Sequence, residues 1–158
     1  MQNYKKIAVV AFNCPDASAG QKTADRFVLK FGRRGYNVIE RSKLKKLVNE
    51  DALVNSGLTE ADKSALEHNG INALVLGSIT RYDCQTKKEW IWTGFSPEQI
   101  TKNLCHAALS LKMVAVSSGE VIWEAYDSHS EYDEGMTART VLEIVISRLE
   151  EKIPLIKQ

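Results

Sequence analysis

The segment Lys6 to Phe12, KIAVVAF, is a short, nearly continuous apolar run rich in β-branched residues. Such a run suits a strand covered on both faces, because a strand with one wet face alternates polar and apolar residues. It reads as the first, central strand of a sheet with helices on both sides. Cys14, Pro15 and Asp16 break the run, Ser18 offers an N-cap, and Ala24, Phe27, Val28 and Phe31 recur at helical spacing as far as Gly35. Tyr36 to Ile39 is a second short strand. Ser42 then caps a basic helix with Leu44, Leu47 and Val48 on its inner stripe. The chain opens βαβα.

Leu53 to Leu58 reads as a loop, and Thr59 with Asp62 three residues on resembles a capping box opening a helix that ends at Gly70. Ala73 to Tyr82, ALVLGSITRY, is a third strand, in which Gly77 marks a close backbone approach, a bulge or a mere gap in packing. Residues 83–103 break the pattern with charges, Gly94, Pro97 and the cluster Trp90, Trp92 and Phe95, and read as an insertion with room for two very short strands. Leu104 to Val116 is a long strand that alternates through Leu109, Leu111, Met113 and Ala115. Ser118 and Gly119 turn the chain, and Glu120 to Ser128 pairs back as a hairpin with Val121 and Trp123 on the core face. Val141, Leu142, Val145, Ile146, Leu149 and Ile153 mark a C-terminal helix. The expected architecture is α/β: one three-layer domain over residues 1–158, its mixed β-sheet flanked by helices, with an insertion at about 83–103.

A chain of 158 residues, 44% apolar and 26% charged, has enough material for a sizeable core and sits near the globular average. Its 21 basic and 20 acidic residues leave a formal charge of +1, so no global field draws it to nucleic acid or anionic lipid, and no nucleic-acid partner is expected. No apolar run approaches the roughly 20 residues of a membrane-spanning helix. The opening MQNYKK lacks an apolar stretch followed by a cleavage site, which fits either a cytosolic chain or a mature piece whose leader was replaced by Met1. No GxSxG elbow, phosphate-binding glycine loop, HExxH or CxxC occurs. Neither catalytic residues nor a cofactor are therefore expected. Asp127, His129 and Glu131 would share one face of a continuing strand, a trio able to ligate a divalent metal. A solvated strand end is the preferred reading, and no metal is expected.

The blocks KIAVVAF, GYNVIERSKLKKLVNE, SGLTEADKSALEHNGINALVLGSITRY and LSLKMVAVSSGEVIWEA, in that order, resemble the CsgG family of bacterial envelope proteins. The resemblance covers about residues 6–126. That family includes the curli secretion channel subunit, and its fold is similar to the N-terminal domain of TolB and to LpoB. It implies a non-enzymatic protein, periplasmic and outer-membrane-associated, a lipoprotein in its full-length form, acting in curli-type assembly or secretion or as an accessory subunit through protein contacts. In the channel subunit two long β-hairpins enter the membrane. Here the first insertion point holds DCQTKKEWIWTGFSPEQITKN and the second only about a dozen residues. Barrel strands need roughly 9–11 residues of alternating polarity. The resemblance therefore implies the family's soluble core, not a self-sufficient pore subunit.

Within that frame Cys84 and Cys105 bracket the insertion. If the strands around them pair, a periplasmic disulfide would clamp its base; three reduced thiols, Cys14 included, are equally compatible with the odd count. Trp90, Trp92 and Phe95 are either an interface or a satellite core folded back on the sheet edge. Glu40 and Arg41 pair with each other or with the neighbouring loop. A basic stretch containing Arg33, Arg34, Lys45 and Lys46, and an acidic one containing Glu131 and Asp133, are two faces that a homo-oligomer could join head to tail, or simply two solvated surfaces. The alternative function is a small-molecule-binding or enzymatic domain using the crevice after the first strand, near Asn13 and Cys14, and the alternative location is cytoplasmic.

Overall fold

The computed structural model describes residues 3–156. The chain runs β1 (Lys6–Val9), α1 (Ala17–Arg33), β2 (Asn37–Val38), α2 (Arg41–Leu47), α3 (Glu50–Ser56), α4 (Glu60–His68), β3 (Ala73–Trp92), β4 (Pro97–Ala115), β5 (Val121–Asp133) and α5 (Ala138–Lys152). The strands form one sheet in the order β2-β1-β3-β4-β5. β1 lies parallel to β2 and β3, while β3–β4 and β4–β5 are antiparallel. This is the mixed α/β sheet expected, although β3 and not β1 takes the central place.

Both faces of β1 are covered. Ile7 and Val9 pack with Phe27 and Phe31 of α1 and Val145 and Leu149 of α5. Ala8 and Val10 pack on the opposite face with Leu44 of α2, Leu53 of α3 and Leu66 of α4. Successive side chains on a strand alternate sides, so a run apolar at every position is what two helical layers require.

Local signals placed the elements with three corrections. Asp16, not Ser18, caps α1, its Oδ1 accepting from the Ala19 N–H at 3.2 Å. α2 starts after Glu40 without a side-chain cap, so Ser42 lies inside it. Most of the stretch read as a loop at Leu53–Leu58 belongs to α3, capped by Asn49 through the Ala52 N–H at 3.1 Å. Only Leu53 of that short helix is buried among its apolar residues, too few for a period to show. The Thr59–Asp62 capping box on α4 is present in both directions.

The largest revision concerns the insertion. β3 and β4 pair without a break at Asp83, from Ala73 opposite Ala115 to Trp92 opposite Pro97, so residues 83–103 are the far half of one long hairpin. Pro97 occupies the first position of its strand, where its missing N–H breaks nothing. A bulge between Ile79 and Arg81 bends β3 just beyond Gly77. A second shift lets Met113 face Trp123 and Val114 face Val121, leaving Ile122 as the extra residue. Ile122 and Trp123 therefore pack inward and Val121 turns out, half exposed. β5 continues past Ser128 to Asp133.

Candidate functional site: a projecting hairpin arm

The last β4–β5 pair is Asn103 with Asp133, and Asn103 also faces Thr86 on β3. Past that level β3 and β4 continue alone for six pairs, from Lys87 opposite Lys102 to Trp92 opposite Pro97. The turn closes through Gly94 at φ +96° and a Thr93 N–H to Ser96 carbonyl bond of 3.3 Å. A two-stranded ribbon is marginal on its own in water, so its base decides how firmly the arm stands.

Two devices hold that base. On one face Cys84 sits opposite Cys105 in register, and a disulfide joins them with Cα atoms 4.0 Å apart. On the other face Tyr132 of β5 donates its hydroxyl to Glu89, and Lys102 Nζ lies 3.5 Å from the same carboxylate. The Nζ atoms of Lys102 and Lys87 stand 5.3 and 6.0 Å from the centre of the Tyr132 ring. The Tyr132 hydrogen bond, and then the Lys102 charge, hold the Glu89 carboxyl below its usual range. The same bond pushes the Tyr132 hydroxyl up. Asn103 Nδ2 donates to the Met136 carbonyl at 3.0 Å, tying the base to the segment before α5.

Trp90 and Trp92 alternate with Ile91 and so share the face that carries the disulfide. They are 69% and 71% exposed, and Phe95 at the turn is 95% exposed. The aromatic residues project; they do not fold back as a satellite core. Sequence reasoning missed exposed Ile91 and the Tyr132–Glu89–Lys102 clasp. The signal available was an aromatic residue placed where the β5 alternation runs out.

The charged stretches are arranged differently from the expectation. Arg33 and Arg34 close α1 in one helical layer, whereas Lys45 and Lys46 lie exposed on α2 in the other. The basic stretch therefore presents no single face. Much of it is also neutralised: Lys30 pairs with Glu150, Arg33 lies 3.6 Å from Glu150, and Arg41, nearly buried, lies 3.0 Å from Asp25 and 3.2 Å from Glu50. Arg41 thus pairs across the molecule and not with Glu40. On β5, Glu131 accepts a 2.7 Å bond from His129 Nε2 if that nitrogen carries the proton, and Asp127 lies 3.7 Å from Arg148. Asp133 is exposed. Among the described residues no cluster with metal-ligating geometry occurs.

Beside Cys14 the crevice after β1 is a recess of about 160 Å³, below the roughly 300–1,000 Å³ of ordinary ligand pockets. Asn13 also borders a larger open cavity of about 660 Å³, within that range, which Ser78 of β3, Ser110 and Lys112 of β4 and Glu124 of β5 help to line. The Asn13 backbone is occupied by β3, its N–H bonding the Gly77 carbonyl at 3.0 Å and its carbonyl the Ile79 N–H at 2.8 Å. Burial pushes the Cys14 thiol up, which keeps it protonated and poorly nucleophilic.

Comparison with known proteins places this arrangement. The lipoprotein GNA1162 from Neisseria meningitidis superimposes with a TM-score of 0.56 at 14% identity, over 93% of this chain and 96% of that one. A PelC dodecamer subunit from Paraburkholderia phytofirmans gives 0.58 at 11% identity, over 99% and 92%. At such identities the likeness shows the fold alone. No curated protein matches the sequence. The family model of the curli production assembly/transport component CsgG, however, matches residues 1–151, and the chain belongs to the CsgG family.

Proposed function

We propose that this CsgG-family protein is a non-enzymatic accessory or assembly subunit of the bacterial cell envelope, working through protein contacts at the tip of its arm. The observation that carries the reading is the exposure of Trp90, Trp92 and Phe95 on a ribbon clamped at its base. Aromatic side chains dominate interface hot spots because each removes much apolar area from water on contact, at little cost in side-chain freedom. A clamped ribbon also loses less entropy on binding than a loose one.

Family membership and the lipoprotein of the same fold support a periplasmic, outer-membrane-associated location with a lipid anchor in the full-length protein. A cross-strand disulfide fits an oxidising compartment. PelC, of the same fold, forms a dodecamer, which supports a second copy among the partners. A photo-crosslinking residue placed at Trp92 in bacterial cells should trap one discrete envelope protein or a second copy, while the same residue at Lys45 on α2 should not. Equal trapping at both positions, or none at Trp92, ends the reading.

A further inference from the structure

β5 is an edge strand. Over Val121–Asp133 it pairs only with β4, and its outward backbone groups find no backbone partner among the described residues. Lys152 of α5 reaches one β5 carbonyl, that of Tyr126, at 3.1 Å. Unpaired N–H and C=O groups along so long an edge are a template for another strand.

The side chains along this edge specify what kind of strand. Residues 120–134 carry Glu120, Glu124, Asp127, Glu131, Asp133 and Glu134 and no lysine or arginine. Arg148 lies 3.7 Å from Asp127 and His129 Nε2 lies 2.7 Å from Glu131; the other four make no side-chain ion pair among the described residues. A second β5 laid against this edge would bring acid against acid, which repels. Among the described residues, other parts of a second copy supply no strand with a free edge that carries bases without acids. Lys45 and Lys46 are on a helix, and Lys30 and Arg41 are committed to buried pairs. The free edge of β3 beyond Ser78 offers Arg81, which lies 3.1 Å from Asp83, and Lys87 and Lys88 beside Glu89.

We propose that the outer edge of β5 is a docking site for an extended, lysine- or arginine-bearing segment of another protein, which joins the five-stranded sheet as an added strand. Backbone hydrogen bonds supply the affinity, and the acids select a cationic segment. The site is separate from the arm tip and does not depend on the reading of the arm.

The test uses the intact protein and three synthetic peptides of about ten residues, enough for one strand. One alternates lysine with valine and threonine, one replaces lysine by glutamate, and one is the cationic peptide N-methylated on alternate backbone amides. The cationic peptide should bind, more weakly as salt rises, and slow hydrogen exchange at alternate β5 amides. The N-methylated peptide keeps the charge but loses its donors on one edge, and should bind about tenfold more weakly or worse. The glutamate peptide should not bind. Glu124→Gln, Asp133→Asn and Glu134→Gln combined should leave the fold intact and weaken the cationic peptide about tenfold. The proposal is overturned if no peptide binds, if methylation makes no difference, or if protection falls on the arm instead. Protection of β5 that grows with protein concentration in the absence of peptide would assign the edge to a second copy and overturn it equally.

Discussion

Two glycines of α1 have opposite surroundings, although both sit in helical backbone. A Cβ on Gly20 would lie 2.3 Å from the Phe12 carbonyl oxygen, whereas a Cβ on Gly32 would meet nothing within 4 Å. Glycine to alanine inside a helix ordinarily stabilises by about 0.5–1 kcal/mol. Gly32→Ala should follow that rule. Gly20→Ala should destabilise by about 1–3 kcal/mol, because α1 must shift off the Phe12 backbone in the segment after β1. Chemical denaturation of the two variants checks both signs, and a stabilised Gly20→Ala would refute the close contact. Gly77 is a third case, since Phe12 ring atoms lie 2.6 Å from where its Cβ would be. Its position inside a strand run made it legible in the sequence as an approach, a bulge or a gap. The Gly20 contact was not legible, because no period marks which helical glycine faces a neighbour.

Arg41 shows the same limit for polar residues. Adjacency suggested Glu40, but the guanidinium is held by Asp25 and Gln21 of α1, by Glu50 at the start of α3 and by the Val9 carbonyl. Glu50 Oε1 also accepts from the Ala11 N–H at 3.2 Å. Glu50→Ala strips a partner from a nearly buried cation and leaves the Ala11 amide, just past β1, unanswered. It should cost about 3 kcal/mol, the lower end for a broken buried pair, since Asp25 and Gln21 remain. A cost near zero in urea titration would show that the pair is dispensable.

At the scale of elements, Lys30 and Glu150 pin α1 to α5. The Lys30 hydrogen bond, then the charges of Lys30, Arg33 and Arg34, hold the Glu150 carboxyl below its usual range. A depressed folded-state pKa means that the unfolded chain takes the proton first. The pair's stabilisation is therefore complete above the unfolded carboxyl's pKa of about 4.3 and is lost as pH falls through the folded value. Between about pH 7 and about pH 3 the wild-type Tm should fall further than that of Glu150→Gln. Identical falls would show that this pair carries none of the acid sensitivity. Which elements exist was legible wherever a face meets a core: the near half of β4, α1 and α5 carried their period, and β1, covered on both faces, carried an unbroken apolar run. α3 was not, because one buried Leu53 makes no pattern. The far halves of β3 and β4 were not either. A ribbon in water has no core face, so charges and aromatics occupy both sides and the alternation that announces a strand disappears.

At the scale of the molecule, the sheet divides into a body wrapped by helices and an arm that leaves it. Among residues 83–104 none belongs to a buried core cluster, and the cluster resumes at Cys105. The body should therefore fold without the arm. Thr86 and Asn103 face each other in register, so residues 87–102 can be replaced by Asn-Gly, a two-residue turn suited to closing antiparallel strands. The shortened protein keeps the disulfide, the β4–β5 pairs and the Asn103 bond to Met136. It loses the Glu89 clasp and the aromatic tip. Its Tm should stay within about 4 °C of the wild type, the shift that about 1 kcal/mol produces at this size. Trp90→Ala, Trp92→Ala and Phe95→Ala combined in the full chain should move Tm even less, because exposed side chains seldom contribute more than about 0.5 kcal/mol. In co-purification from bacterial cells, which needs no residue at position 92, both variants should lose the arm's partner and keep cationic-peptide binding at β5. A large fall in Tm for the triple variant would mean that the aromatics pack, and it would return the arm to a purely structural role. An unchanged Tm with partner capture intact would place the contact elsewhere on the molecule.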